Sequence, residues 1–169
     1  MPERPEKFGG FRTVFAEDTT ISMKTEFFES FSPEETERFA AELAASLAPG
    51  SVIALHGDLG AGKTVFARGF ARGLGITEPV SSPTFTIVQE YSSVRGMLYH
   101  LDLYRIDNSD AALAFGADEF LYDRTAFVLL EWPERIADIL PPHTLHVEIR
   151  HAGEEKRMLR GPVPQADFL

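Results

Sequence analysis

The segment Gly57-Asp58-Leu59-Gly60-Ala61-Gly62-Lys63-Thr64 satisfies G-x-x-x-x-G-K-[ST], and no other feature of the chain constrains its fold as tightly. It follows Val52 to His56, a short apolar run bounded by Gly50 and Gly57, the pattern of a strand buried in a parallel sheet. From Lys63 the pattern turns helical, with Val65, Phe66, Phe70 and Leu74 apolar, and Gly75 ends it. Strand, glycine loop and helix in that order make a phosphate cradle. The glycines let backbone N–H groups curl around an anion, and the helix N-terminus adds its positive dipole end. Asp58, Leu59, Gly60, Ala61, Gly62, Lys63, Thr64 and Val65 are then the nucleotide-contacting set. Lys63 reaches the β and γ phosphates, which also places it among the catalytic candidates, and the Thr64 hydroxyl is a Mg2+ ligand. An accidental glycine turn is the competing reading, and the flanking strand and helix weigh against it.

The remaining pattern extends this unit. Thr25 to Phe31 carries three Phe among polar residues and reads as a strand. Ser32 then suits an N-cap with Pro33 at the first helical position, and Phe39, Ala40, Leu43, Ala44 and Leu47 follow at helical spacing until Pro49-Gly50. Further strands are expected at Thr86 to Tyr91, Met97 to Leu103, Ala126 to Glu131 and Thr144 to Ile149, with helices around Ser109 to Phe115 and Pro133 to Leu140. No internal repeat interrupts the series. The expected fold is α/β, a single P-loop NTPase domain with a mainly parallel sheet flanked by helices. Its expected limits are 25–160, after an N-terminal extension over 1–24 that is loose or an irregular edge, and before an irregular tail over 161–169.

Bulk properties agree with this and exclude other classes. The 169 residues fit one domain, and 44% apolar with 25% charged residues is an ordinary globular composition. Sixteen Lys and Arg against 26 Asp and Glu give a net charge of -10, which repels polyanions, so any tRNA contact is local or made through a partner. The absence of cysteine excludes disulfides and thiolate chemistry. No apolar run approaches the ~20 residues of a membrane span, and Met1 to Gly10 lacks the apolar stretch of a signal peptide. No membrane association and a cytoplasmic location are expected.

A Mg2+-nucleotide site also needs an acid at the end of a neighbouring strand. Asp102 closes the run from Met97, and Glu131 closes the more apolar run from Ala126. Either could serve the metal while the other positions water, and for each the competing reading is a solvated strand-end carboxylate. His100 alternates with Tyr99 and Leu101 and reads as a satisfied, half-buried residue. No histidine is assigned to chemistry. Trp132, the only tryptophan, follows Glu131 at the same sheet edge, where it either packs the core or lies beside nucleotide. No N-K-x-D tetrapeptide occurs, which favours ATP over GTP.

Taken together, the phosphate loop, Ser82-Pro83-Thr84-Phe85-Thr86, His100-Leu101-Asp102-Leu103-Tyr104-Arg105 and Glu131-Trp132-Pro133-Glu134-Arg135 resemble the bacterial TsaE family, across Phe31 to Pro142. The resemblance implies an ATPase needed for threonylcarbamoyladenosine modification of tRNA. It also implies a Ser-Pro-Thr-Phe switch loop with Thr84 near the γ phosphate, Asp102 holding Mg2+, Glu131 near the attacking water or the metal shell, and Trp132 close to nucleotide. The implied partners are the threonylcarbamoyl transferase TsaD and its inactive paralogue TsaB, whose complex ATP hydrolysis resets, with tRNA contacted only indirectly. Val65 departs from a threonine often seen in the family, and removes no phosphate or metal ligand. Two other readings share the phosphate loop. A small-molecule kinase needs an acceptor pocket and an arginine-rich lid, which the chain does not display, and a nucleotide-gated binding module would hydrolyse negligibly.

Overall fold

The computed structural model describes residues 11–16 and 25–162, with side chains placed from residue 25 onward. Among the described residues, eight strands form one sheet in the order β1-β2-β8-β7-β3-β6-β5-β4. The strands are β1 (Phe11–Ala16), β2 (Thr25–Ser30), β3 (Val52–His56), β4 (Val88–Ser93), β5 (Gly96–Asp102), β6 (Phe127–Glu131), β7 (Leu145–His151) and β8 (Arg157–Pro162). The four central strands β7, β3, β6 and β5 run parallel, and the ladders outside them are antiparallel. The parallel core anticipated from the buried apolar runs is therefore present, widened by antiparallel strands on both sides.

Side-chain alternation on the central strands sorts the core into two layers. On β3, Ile53 and Leu55 join a cluster with α1 (Pro33–Ser46) and α2 (Lys63–Gly73). Val52 and Ala54 face the other way, into a cluster with α3 (Ser109–Ala114), α4 (Ala117–Leu121) and a 3-10 helix over Pro133–Ile139. Ser32 caps α1 by accepting from Glu35 N–H at 3.2 Å, while Glu35 accepts from Phe31 N–H at 2.8 Å. Helices α1 and α2 approach closely because Gly69 and Gly73, one turn apart, present no Cβ. A Cβ at either would lie 2.2 Å from a carbonyl oxygen of α1, that of Glu37 or Ala41.

Several expected boundaries shift for local reasons. β4 starts at Val88 rather than Thr86, because Pro83 to Ile87 forms a turn closed by Ile87 N–H to Pro83 O at 2.7 Å. The Pro133 helix is 3-10 and breaks at Ile136. Helix α4 was not anticipated, being only five residues long. Nor was β8: Gly161 and Pro162, assigned to an irregular tail, complete it opposite Glu26 and Thr25. Its one fully enclosed large apolar side chain is Leu159, too weak a pattern to announce a strand. β1 adds an outer antiparallel strand, with a register break between Arg12 and Ala16, within the stretch read as an extension. Residues 1–10, 17–24 and 163–169 lie outside the described set.

Candidate nucleotide site

Parallel pairing brings three strand ends together. Glu131 lies opposite Leu55 on β3 and opposite Asp102 on β5, so both strand-end acids stand beside the loop that leaves β3. Neither is a solvated surface carboxylate, since Asp102 and Glu131 are each 3% exposed. Within the loop, Gly60 and Gly62 adopt φ of 76° and 110°, the left-handed region open to glycine, and Gly62 caps α2. Asp58, Leu59 and Gly60 are exposed, Ala61 is buried, and Thr64 and Val65 are half-buried on the first turn of α2.

Lys63 is 6% exposed and folds back on the loop. Its Nζ donates to Gly57 O at 2.7 Å and lies 3.8 Å from the centre of the Trp132 ring, a cation-π contact. Burial pushes the Lys63 ammonium below the usual lysine range, and the negative field of Glu131, Asp102, Glu134 and Asp58 pulls it back. Trp132 takes φ 60° and ψ 49°, a left-handed conformation disfavoured for its bulk, and its ring also meets Tyr104 at 5.1 Å between centroids. The tryptophan thus packs against the second core layer and covers the loop lysine at the same time.

The carboxylates are held differently. Asp102 Oδ2 accepts from Ser82 Oγ and from Thr84 Oγ1, each at 2.9 Å, and Oδ1 accepts from Tyr104 N–H at 3.0 Å. Two hydroxyls thereby tie the Ser82 to Thr86 segment onto one acid. At the end of that segment Ile87 has φ 68°, an outlier for a β-branched residue. Glu131 Oε2 instead pairs with His100 Nε2 at 2.9 Å. His100 is fully buried rather than half-buried, and it is not a satisfied core residue, for among the described residues its Nδ1 has no partner.

All the residues singled out in the sequence, from Asp58 to Val65 with Thr84, Asp102, Glu131 and Trp132, lie on the loop or the strand-end elements beside it. Others were missed. Ser82 shares Asp102 with Thr84, and Arg157 on β8 braces the loop by donating Nε–H to Ala61 O at 2.9 Å. A basic residue on a late strand carries no local signal of such a contact. The oxygen donors of Thr64, Asp102 and Glu131 suit a hard cation such as Mg2+, which keeps waters and phosphate oxygens in its shell. Among the described residues no group of three or more His, Asp or Glu could hold a metal ion. No helix among them is long and apolar enough to cross a membrane.

A parallel β3-loop-α2 unit with strand-end acids beside it defines a P-loop NTPase domain. The chain belongs to the TsaE family: the family model described as threonylcarbamoyl adenosine biosynthesis protein TsaE matches residues 30–159. It is 44% identical over 135 residues to the Bacillus subtilis (strain 168) tRNA threonylcarbamoyladenosine biosynthesis protein TsaE, covering 80% of this chain and 84% of that one. With the Treponema pallidum (strain Nichols) protein of the same description it shares 40% over 128 residues, or 76% of this chain and 93% of the other. The crystal structure of Bacillus subtilis YdiB superposes with a TM-score of 0.71 at 38% identity, covering 86% of this chain and 90% of that one. The family is involved in tRNA threonylcarbamoyladenosine biosynthesis.

Proposed function

We propose that the chain binds Mg-ATP on the Gly57 to Thr64 loop and hydrolyses it slowly, in support of turnover by a TsaD-TsaB threonylcarbamoyl transferase complex. The observation that carries this reading is the convergence of buried Lys63, Asp102 and Glu131 at the mouth of a left-handed glycine loop. Three buried charges at one sheet edge are costly to maintain and are supported here by specific partners, as expected of a site built to meet a larger charge. Lys63 leaves Gly57 O and turns its ammonium to the β and γ phosphates, while loop N–H groups take the rest of the polyanion. Bound Mg2+ would be held by Thr64 and Asp102 and would neutralise charge on the phosphate oxygens. Glu131 orients the attacking water and accepts its hydrogen bond, and Trp132 shields the lysine from solvent.

Asp102 has a second task in this reading. Its grip on Ser82 and Thr84 holds the switch segment, and a bound Mg2+ would draw on the same carboxylate, which would leave Thr84 free for the γ phosphate. Nucleotide state is thus transmitted to a surface on which Phe85 stands 83% exposed with the Arg105 guanidinium stacked over it at 4.5 Å. The test separates the two acids. Glu131→Gln is expected to bind Mg-ATP within about twofold of the parent and lose roughly 10² in hydrolysis, whereas Asp102→Asn loses Mg2+-dependent binding more than metal-free binding. Parental kinetics in both variants would remove the acids from the mechanism.

A further inference from the structure

The histidine that sequence reading left without chemistry is joined to the acid that matters most for hydrolysis. His100 lies two residues before Asp102 on β5, opposite Leu129, so its side chain shares a sheet face with Asp102 and Glu131. It is wholly buried, and its Nε2 sits 2.9 Å from Glu131 Oε2. Among the described residues Nδ1 has no partner. A buried N–H without an acceptor is more costly than a bare ring lone pair, which assigns the proton to Nε2 and makes the histidine the donor. Glu131 has three side-chain torsions and, with Oε2 taken by this bond, its other oxygen, Oε1, left for a further partner.

We propose that His100 is a positioning residue: its Nε2–H fixes the Glu131 carboxylate so that Oε1 addresses the water that attacks ATP. This deepens the function proposed above and rests on it. The bond does not touch the phosphates, so its loss acts through Glu131 alone. A residue that merely fills the core would affect folding and leave the rate per folded molecule unchanged. A residue that orients Glu131 changes kcat and spares ATP affinity, with a cost of about 10-fold or more by analogy with other outer-shell partners.

The experiment is single-turnover ATP hydrolysis with excess protein, alongside Mg-ATP affinity by calorimetry, on the full chain and on His100→Leu, His100→Gln, His100→Asn and Glu131→Gln. His100→Leu is expected to lose about 10-fold or more in rate with affinity within about twofold. His100→Gln carries an amide N–H far enough along its side chain to meet Oε2 and recovers much of the rate; the shorter His100→Asn does not. Adding His100→Leu to Glu131→Gln costs nothing further in rate, because the carboxylate to be held is gone. If His100→Leu fails to fold, the Gln and Asn pair makes the same comparison. Parental rates in His100→Leu and His100→Asn, with Glu131→Gln impaired, would overturn the positioning role and leave the ATPase reading intact. A parental rate in Glu131→Gln would overturn the positioning role together with the role of Glu131, and no hydrolysis by the parent chain would overturn the ATPase reading itself.

Discussion

The two sides of the sheet use their buried positions in different ways. At the ends of β3, β6 and β5 the enclosed residues include Lys63, His100, Asp102 and Glu131. Across β2, β8 and β7 the large enclosed side chains are Phe28, Val147, Ile149 and Leu159, joined on the α1 side by Phe39, whose ring stacks on Phe28 at 5.0 Å between centroids. The buried polar pair on that side is Ser30 of β2 and Thr36 of α1, two hydroxyls that satisfy each other at 2.7 Å. On the other side the lysine is held under a tryptophan, one acid by two hydroxyls, and the other acid by a histidine with an orphaned nitrogen. One region holds the domain together. The other keeps charges desolvated, which costs stability that the apolar side has to supply.

If that division is right, damage on each side should have its own signature. Leu159→Ala, in the apolar region, is expected to lower unfolding free energy by about 2–5 kcal/mol. Urea titration measures the loss, and the folded variant should bind Mg-ATP as the parent does. A large change in affinity would mean the regions are not separable. Lys63→Ala inverts the pattern, with affinity falling by about 100-fold or more, equivalent to about 2.7 kcal/mol, and stability held or raised once a buried charge is gone. Calorimetry and saturable Trp132 fluorescence report it together, since the lysine touches that ring.

A smaller effect comes from the His56 and His146 pair, joined at 2.8 Å between β3 and β7. Burial, and then the neighbouring His56, hold the His146 imidazole below the usual histidine range. The unfolded chain therefore takes up this proton more readily than the folded one. Its stabilising effect is complete above about pH 6.5 and is lost as pH falls toward the lowered folded value. Melting temperatures between pH 7.5 and 5.5 should fall less steeply in His146→Gln than in the parent. An identical slope would show that the pair does not contribute.

What the sequence made legible follows the same division. The phosphate loop is contiguous, so its eight residues and both flanking elements could be read directly. Asp102 and Glu131 were visible as acids closing apolar runs, because a parallel strand advertises its end. Their partners were not, since Ser82 reaches Asp102 across 20 positions, His100 reaches Glu131 across 31 and Arg157 reaches Ala61 across 96. Such pairings exist only once register is set. β8 stayed hidden for a related reason: the residues around Leu159 are Arg157, Met158, Arg160 and Gly161, and only its neighbours β2 and β7 make them a strand.

The exposed Arg105 lies over Phe85, while Lys63 contacts Gly57 and Trp132, Asp102 contacts Ser82, Thr84 and Tyr104, and Glu131 contacts His100. Catalytic stabilisation by an arginine, brought by a partner or docked by one, accounts for roughly 10³ to 10⁵ in rate in P-loop enzymes. The direct measurement is phosphate release from Mg-ATP by the chain alone and with the TsaD-TsaB complex. Slow release alone, accelerated by the complex and abolished by Lys63→Ala, is the predicted result; fast release alone that the complex leaves unchanged would contradict it.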